Sequence, residues 1–566
     1  MIVTFPLYQT PTHPCVVPIS IPNATILFDS KWMDNNAIAH AAVSLFRVAY
    51  IICVSMTRQK KRQRDADGGA QEASSSGTDR STSLSKYAHL KADSLWSQLL
   101  GLIEPLDFFS TYFEKKPLLI RERGLKRQLF SKNLFTRDFL LEIVDQYNLS
   151  HGADFILCKY IDFKRIDYEV PTRKSDAKIC SAMMKACFRD SYSCQFYQPQ
   201  RYSDDLHRLC ASFENTFGCL TGSSVYLTPP KAQALGPHYD DVDVFILQTE
   251  GRKNWKLYHP TYILPGEPSH DLLPSEIGPL WMEFTLEQGD VLYMPRGVIH
   301  QAQTDKSVFS THVTISVYQR QSWSNFMELA MPHLIRRAFA NNVEFRRGLP
   351  PQYLNFLGSQ FPTSTPCVKD FFSTFKDLFS KLSECLEIQD LQHAADLASL
   401  DYITHRLPPP GTTESSHGAE FSLDGMVFRF QNRSYIRIVI SDRDGDDHVS
   451  ILSSTANCRQ HHMGVCSCDP ADNESVSENA SEPCESLASL DQSVSMDESS
   501  NRGTQPGCIG FPKELSVYLI KLYDAFPRFL KLEDLCDAVS DEISVRGMLL
   551  QLWSSELLEL QEEKAC

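Results

Sequence analysis

Two short stretches decide the fold. One is His238-Tyr239-Asp240, and the other is Gly289-Asp290-Val291-Leu292-Tyr293-Met294-Pro295-Arg296-Gly297-Val298-Ile299-His300. Gly-Asp is typical of a turn that leads into a strand, and Pro-Arg-Gly is typical of a strand's end, so we expect His300 at a strand's exit. Because side chains two residues apart on a strand share a face, His238 and Asp240 are expected to point to the same side.

The residue types of these stretches indicate a metal site. Two imidazoles and one carboxylate form the facial triad of non-haem Fe(II) oxygenases, which leaves three positions open on an octahedral metal. A His-x-Asp pair alone also occurs as a hydrogen-bonded surface pair. Its combination with a turn-bounded stretch that ends in His300 favours the metal. A structural His300 and a zinc or manganese cupin site remain alternatives.

The sequence around these motifs has the residue pattern of an antiparallel β domain. Short alternating runs with Gly and Pro turns are typical of a barrel or a double-sheet jelly roll. A turn at residues 249–252, which contains Gly251, is predicted to join two strands. The expected strands cover residues 242–248, 254–258, 291–294 and 311–318.

The rest of the chain separates into further segments, as its 566 residues predict roughly two to four domains. We assign 1–89 to an extension with a flexible basic segment, 90–320 to the β domain with its leading helices, and 321–407 to a helical region. Residues 412–566 are predicted to form a winged-helix-like module that contains an acidic disordered insertion at about 441–505. The fold class is therefore α+β. The helical region carries an apolar stripe, which is typical of a core or a partner-helix face, formed by Phe371, Phe372, Phe375, Leu378, Phe379 and Leu382.

Composition limits the partners and the compartment. The net charge of −15 makes the chain as a whole a poor nucleic-acid binder, so any such contact needs a local patch or a partner protein. The 17 cysteines show no regular framework and indicate reduced thiols.

Residues 37–56 are apolar but include Arg47, which is costly in a membrane, so no membrane partner is expected. Met56 is a plausible true start, and the basic run 60–64 fits a nuclear localisation signal or a solvated tail.

The sequence resembles the Jumonji-C ribosomal oxygenases, which are nuclear 2-oxoglutarate enzymes that hydroxylate a histidine of a ribosomal protein. The resemblance covers roughly residues 90–400, and the C-terminal module more loosely. It is somewhat stronger to the Mina branch (ribosomal oxygenase 2) than to its nucleolar sister branch. The runs that carry it include Leu227-Thr228-Pro229-Pro230, Trp255-Lys256-Leu257-Tyr258, residues 237–247 and residues 289–301.

The resemblance implies a role for each matching residue. His238, Asp240 and His300 would hold Fe(II), and 2-oxoglutarate and O2 would be the co-substrates. Lys253 matches the lysine that binds the far carboxylate of 2-oxoglutarate, although a turn lysine is usually exposed. Further matches are Thr314, which assists that carboxylate, and Tyr226 and Ser316, which hydrogen-bond the substrate imidazole. The family also implies a homodimer formed by the helical region, and a nuclear and nucleolar location.

One residue departs from the family's pattern. Ser224 stands where the family usually has the Asn that helps hold the metal-bound end of the cofactor, and the shorter Ser predicts weaker binding. Independently of the family, His312, Thr314 and Ser316 alternate along one strand face, as expected of a wet pocket or of a face that points to solvent. A separate set, Cys458, His461, His462, Cys466 and Cys468, superficially resembles a zinc site, but lies in the low-complexity insertion.

Three functions fit the sequence. The first is a ribosomal-protein histidyl-hydroxylase, and the second is a Jumonji-C lysine demethylase that acts on a histone. Both use the same metal and cofactor, and Tyr226 with Ser316 favours an imidazole substrate over a methylated ammonium. The third is a non-catalytic cupin scaffold. The intact triad argues against this function, whereas Ser224, in place of the usual Asn, is consistent with it.

Overall fold

The computed structural model describes residues 16–21, 24–29, 94–121, 124–169, 179–317, 321–411, 421–440, 448–462, 465–466, 507–536 and 542–562. The chain divides into two compact units, 1–79 and 80–566. In the first unit, strands β1 (Val16–Ile21) and β2 (Ala24–Asp29) form an antiparallel hairpin. The segments 37–56 and 60–64 lie outside the described residues. Within the described residues, no helix is both long and apolar enough to cross a membrane.

The second unit begins with short helices and then builds a large antiparallel sheet. Its helices up to residue 217 are α1 (Ser94–Leu100), α2 (Pro105–Thr111), α3 (Leu125–Leu134), α4 (Arg137–Gln146), α5 (Ser181–Arg189) and α6 (Asp204–Phe217). Its strands are β3 (Leu118–Ile120), β4 (Phe155–Ile161), β5 (Lys164–Asp167), β6 (Ser193–Tyr197), β7 (Thr221–Thr228), β8 (Val244–Tyr258), β9 (Leu280–Glu287), β10 (Val291–Met294), β11 (Ile299–Gln303) and β12 (Ser310–Val317).

The sheet confirms the predicted jelly-roll type of core. The strands follow the order β3-β10-β8-β12-β7-β6-β4-β5, and β9 and β11 pair with the second half of β8. Strand β3 lies at the edge of the sheet. Along β7 and β12, Val225, Val313 and Ile315 point into a core shared with the helices. The alternate residues of the same strands therefore share the opposite face.

Strand β8 corrects the predicted turn at residues 249–252. It is one strand of 15 residues whose first half pairs with β10 and β12 and whose second half pairs with β9 and β11. The register with β12 shifts between Thr311 and His312. Gly251 has a φ of +62°, and a Cβ there would lie 1.8 Å from the carbonyl oxygen of Phe309. The glycine therefore allows a bulged strand to pass close to a neighbouring backbone, where the sequence favoured a hairpin turn.

Three long helices follow the sheet. They are α7 (Trp323–Asn341), α8 (Pro366–Glu384) and α9 (Ile388–His405). Helices α7 and α9 are joined by the buried Asp390, which accepts hydrogen bonds from His333 and Arg337. Among the described residues, α8 contributes one buried side chain, Leu382, to a cluster with Leu334 and Ala338 of α7. Three aromatic rings of α8 are largely exposed, at 63% for Phe372, 59% for Phe375 and 58% for Phe379.

The C-terminal module has its own apolar core. Its elements are β13 (Met426–Phe430), β14 (Ile436–Ile440), β15 (His448–Ser453), β16 (His461–His462), β17 (Val465–Cys466), β18 (Gly507–Pro512), α10 (Ser516–Ala525), α11 (Leu532–Leu535), α12 (Glu542–Ser554) and β19 (Leu558–Glu562). Strand β15 corrects the predicted insertion at 441–505, because it is the buried central strand of the sheet β14-β15-β18. The apolar alternation of Val449 and Ile451 within a polar stretch was the missed signal. The winged-helix assignment stays a prediction.

Replacing Gly251 by Ala should destabilise the β domain. The change places a methyl group against the Phe309 carbonyl and forces a non-glycine residue into positive φ. Gly218 is the matched control, because its φ is +65° and nothing lies within 4 Å of its Cβ position. We expect Gly218→Ala to cost about 1 kcal/mol and Gly251→Ala roughly 2 kcal/mol more. Differential scanning calorimetry checks this, and equal losses of Tm would contradict the close approach.

Candidate active site

The two predicted motifs meet through their backbones. The amide of His300 donates to the carbonyl of His238 at 2.8 Å, and the amide of His238 donates back to His300 at 3.1 Å. The amide of Gly297 donates to the carbonyl of Asp240 at 3.0 Å. His300 is the second residue of β11 and not the exit of β10, and His238 forms an isolated bridge and not part of a strand. This bridge between two segments, and not a common strand, therefore brings the two motifs together.

The three side chains converge on one point. Nε2 of His238 lies 3.8 Å from Oδ1 of Asp240, and Nε2 of His300 lies 3.7 Å from Oδ2. Donor atoms from all three residues lie within 4.8 Å of one another. Among the described residues, this is the one cluster of three or more His, Cys, Asp or Glu side chains with such spacing.

Hydrogen bonds prepare both imidazoles to bind a metal. Nδ1 of His238 lies 2.8 Å from the carbonyl of Gly236, and Nδ1 of His300 lies 3.0 Å from that of Val298. A carbonyl can only accept, so Nδ1 carries the proton in each ring and the lone pair of Nε2 faces Asp240. Burial, and then the neighbouring His238, lowers the pKa of His300 to about 4, which keeps this ring neutral. The donor set thus fits a divalent metal of the Fe(II) type.

A buried network holds the turn that precedes His300. The hydroxyl of Tyr293 donates to Asp243 at 2.6 Å, and the backbone amide and guanidinium of Arg296 donate to the other oxygen of Asp243 at 3.0 and 3.1 Å. Arg296 also pairs with Glu114 at 2.7 Å. Because Asp243 is 3% exposed, solvent screens these bonds little. The network therefore fixes the Pro-Arg-Gly turn between β10 and β11.

A cavity opens beside the three ligands. It is lined by Tyr226, Ala234, Leu235, His238, Asp240, Val244, Ile246, Lys253, Trp255, His300, Gln301, Ala302, His312 and Thr314. Lys253 is 3% exposed, and its ammonium donates to the hydroxyl of Thr228 at 3.0 Å. Within the described part of the chain, no carboxylate forms an ion pair with it. Because no anion among the described residues stabilises this buried cation, burial lowers the pKa of Lys253 to about 7.

Aromatic rings form one wall of the cavity. The rings of Tyr226 and His312 stack with centroids 5.0 Å apart, and Trp255 meets His312 edge to face at 5.5 Å. The hydroxyl of Tyr226 accepts a hydrogen bond of 2.8 Å from Gln195. Burial, and then the charge of Lys253, keeps the pKa of His312 well below its ordinary value. The alternation of His312 and Thr314 in the sequence predicted that this face of β12 lines a pocket. It did not predict the contacts of Trp255 with His312 or of Gln195 with Tyr226.

Six of the eight predicted site residues line this cavity. Besides the three metal ligands, these are Lys253, Thr314 and Tyr226. Ser224 and Ser316 lie on the same face of β7 and β12, half-buried, but not among the lining residues. Ser224 pairs directly with Thr314 in the strand register.

The second predicted metal set is resolved only at the level of the backbone. Strands β16 and β17 pair His461 with Cys466. The side chains of both residues, and Cys468, lie outside the described residues. The zinc site therefore stays a prediction.

Comparison with known proteins agrees with the geometry. The JmjC domain family matches residues 195–326. Ribosomal oxygenase 2 of Rattus norvegicus is 34% identical over 384 residues, which cover 65% of this chain and 79% of the rat protein. The chain belongs to the Jumonji-C ribosomal oxygenase family.

Other members of the family match to a similar degree. The bifunctional lysine-specific demethylase and histidyl-hydroxylase NO66 of Dictyostelium discoideum is 33% identical, with 64% of this chain and 71% of that protein covered. Among solved structures, the Escherichia coli ribosomal oxygenase YcfD in complex with cobalt and 2-oxoglutarate gives a TM-score of 0.39 at 13% identity. The match covers 81% of this chain and 99% of YcfD.

Replacing Asp240 by Ala should abolish metal binding with little change in Tm. The substitution removes one of only three protein ligands, and its side chain is not part of the apolar core. Asp241→Asn is the matched control, because Asp241 is a neighbouring carboxylate outside the ligand cluster. Equilibrium dialysis with Fe(II) or Mn(II) measures the effect. Undiminished metal binding by Asp240→Ala would overturn the assignment of the triad.

Proposed function

We propose that the chain is an Fe(II)- and 2-oxoglutarate-dependent oxygenase that hydroxylates a histidine of a ribosomal protein. The observation that carries the proposal is one cavity that joins a two-imidazole, one-carboxylate ligand set to a buried lysine, which has no anionic partner among the described residues. A 2-oxo diacid fits both features. Its oxo-acid end can chelate a metal, and its far carboxylate can pair with Lys253.

The protein's contribution is to bind, orient and exclude water. His238, Asp240 and His300 would hold the iron, which when bound would supply the oxidative chemistry. Lys253 would anchor the tail of the 2-oxo acid. The apolar side chains of Val244, Ile246 and Trp255 keep the floor of the cavity dry, which strengthens charge interactions there.

Tyr226 is the candidate for orienting the substrate. Its oxygen accepts from Gln195, so the phenolic proton is free to donate to an imidazole nitrogen. Ser316, on the neighbouring strand, would support the same group at the cavity's margin. Among the cavity-lining residues the single carboxylate is Asp240, a metal ligand, and this leaves no acidic group for a methylated ammonium. The cavity therefore favours histidine hydroxylation over histone demethylation.

Mass spectrometry separates the three candidate functions. The purified chain would be incubated with Fe(II), 2-oxoglutarate and either a ribosomal-protein fraction or methylated histone peptides. A hydroxylase adds one oxygen atom to a histidine and releases succinate. Loss of methyl groups from lysine alone would instead identify a demethylase, and no modification of either substrate would favour a scaffold.

Replacing Lys253 by Met should raise the apparent KM for 2-oxoglutarate by roughly a hundredfold, because a buried carboxylate loses its counter-charge. Lys256 lies on the same strand and is exposed, so Lys256→Met should leave the KM unchanged. Succinate release as a function of 2-oxoglutarate concentration measures both variants. An unchanged KM in Lys253→Met would move the anchor elsewhere.

We further propose a homodimer through the helical region, located in the nucleus and nucleolus. The support for the dimer is the exposed Phe372, Phe375 and Phe379 on one side of α8, since a monomer rarely leaves such a patch in water. A C2 pairing of this patch with its copy would bury all three rings. The support for the location is the basic run 60–64, which imaging of a tagged chain with and without that run would test.

Charge placed in the aromatic patch should split the dimer. Phe375→Glu and Phe379→Glu together should yield soluble monomers, because like charges would meet across the symmetry axis. Ser373→Glu, on the opposite side of α8, is the matched control and should leave the mass unchanged. Light scattering at tens of micromolar gives the mass, on the order of twice the chain mass for the wild type. A monomeric wild type would remove the dimer.

A further inference from the structure

His312 is fixed in the wall of the cavity by packing alone. It is 2% exposed, it stacks on Tyr226 at an interplanar angle of 8°, and Trp255 meets it edge to face. These contacts leave the ring little freedom to rotate. Its conformation is therefore set before any ligand enters.

Neither ring nitrogen of His312 has a hydrogen-bond partner among the described residues. Nδ1 is sealed from solvent, and nothing donates to it or accepts from it. A buried polar group without a partner costs free energy, and such groups in native proteins usually have a functional reason. With Nδ1 enclosed, Nε2 is the atom that remains available to the cavity.

The strand register places His312 next to the lysine anchor. Thr228, which holds the ammonium of Lys253, pairs with Ser310, and the next pair on that face of the sheet is Tyr226 with His312. Two residues along a strand span about 7 Å. The edge of the His312 ring therefore faces the same part of the cavity as the ammonium of Lys253.

We propose that Nε2–H of His312 is a further donor to the far carboxylate of 2-oxoglutarate, beside Lys253 and Thr314. The inference rests on the proposed function and adds a cofactor-positioning residue to it. Each additional donor narrows the directions in which a bound carboxylate can turn. His312 thereby orients the oxo-acid end toward His238, Asp240 and His300.

Two ligands that differ only at the far end test the role. Titration calorimetry in the presence of Mn(II) would compare 2-oxoglutarate with 2-oxopentanoate, which has a methyl group in place of the far carboxylate. Replacing His312 by Phe keeps the stacking and removes the donor. It should weaken 2-oxoglutarate binding roughly tenfold or more, with 2-oxopentanoate and Mn(II) alone binding as in the wild type.

A second pair of variants guards against misfolding of His312→Phe. The amide of Gln reaches the position of Nε2, whereas the shorter Asn reaches only that of Nδ1. We expect His312→Gln to retain most of the 2-oxoglutarate affinity and His312→Asn to lose it. An equal loss of affinity for 2-oxoglutarate and for 2-oxopentanoate would overturn the inference. Unchanged 2-oxoglutarate binding in His312→Phe and His312→Asn would overturn it as well. A wild type that binds Mn(II) but no 2-oxoglutarate would instead overturn the proposed function.

Discussion

The reciprocal backbone pair between His238 and His300 is the constraint on which the site depends. It fastens a loop segment to strand β11, so that two ligand motifs far apart in sequence lie side by side. The carbonyls of Gly236 and Val298 then select the tautomer of each ring. Metal ligands oriented in this way need little rearrangement on binding, and the entropy of ordering them is already part of the folding free energy.

The bent strand β8 turns this ligand set into a cavity. Its first half, which pairs with β10 and β12, supplies Val244 and Ile246, and its second half, which pairs with β9 and β11, supplies Lys253 and Trp255. One continuous strand thus fixes the distance between the lysine and the metal ligands. The conformational freedom of Gly251 and its close approach to Phe309 make the bulge possible. The buried Lys253 and the bulge at Gly251 thus belong to one continuous strand.

The sequence predicted what depends on local pattern and missed what depends on the path of the chain. The triad and the polar face of β12 follow from spacing and alternation, whereas Lys253 follows from the family resemblance, and the structure brings all of them into one cavity. The bulge at Gly251 resembled a hairpin turn because Thr-Glu-Gly-Arg satisfies turn propensities equally well. Strand β15 was not predicted, because the acidic composition of the surrounding residues indicated disorder. The strand nevertheless lies at the centre of a small sheet. The lack of a partner for His312 is a tertiary property that no periodicity can reveal.

The site requires one cavity to hold iron and 2-oxoglutarate together. An anaerobic titration of the Fe(II)-loaded chain with 2-oxoglutarate examines this, because chelation of Fe(II) by a 2-oxo acid produces a visible charge-transfer absorption. We expect this absorption to grow to one chelate per chain and to be absent in Asp240→Ala. An absorption that never forms in the wild type, or one that persists at full strength in Asp240→Ala, would contradict it.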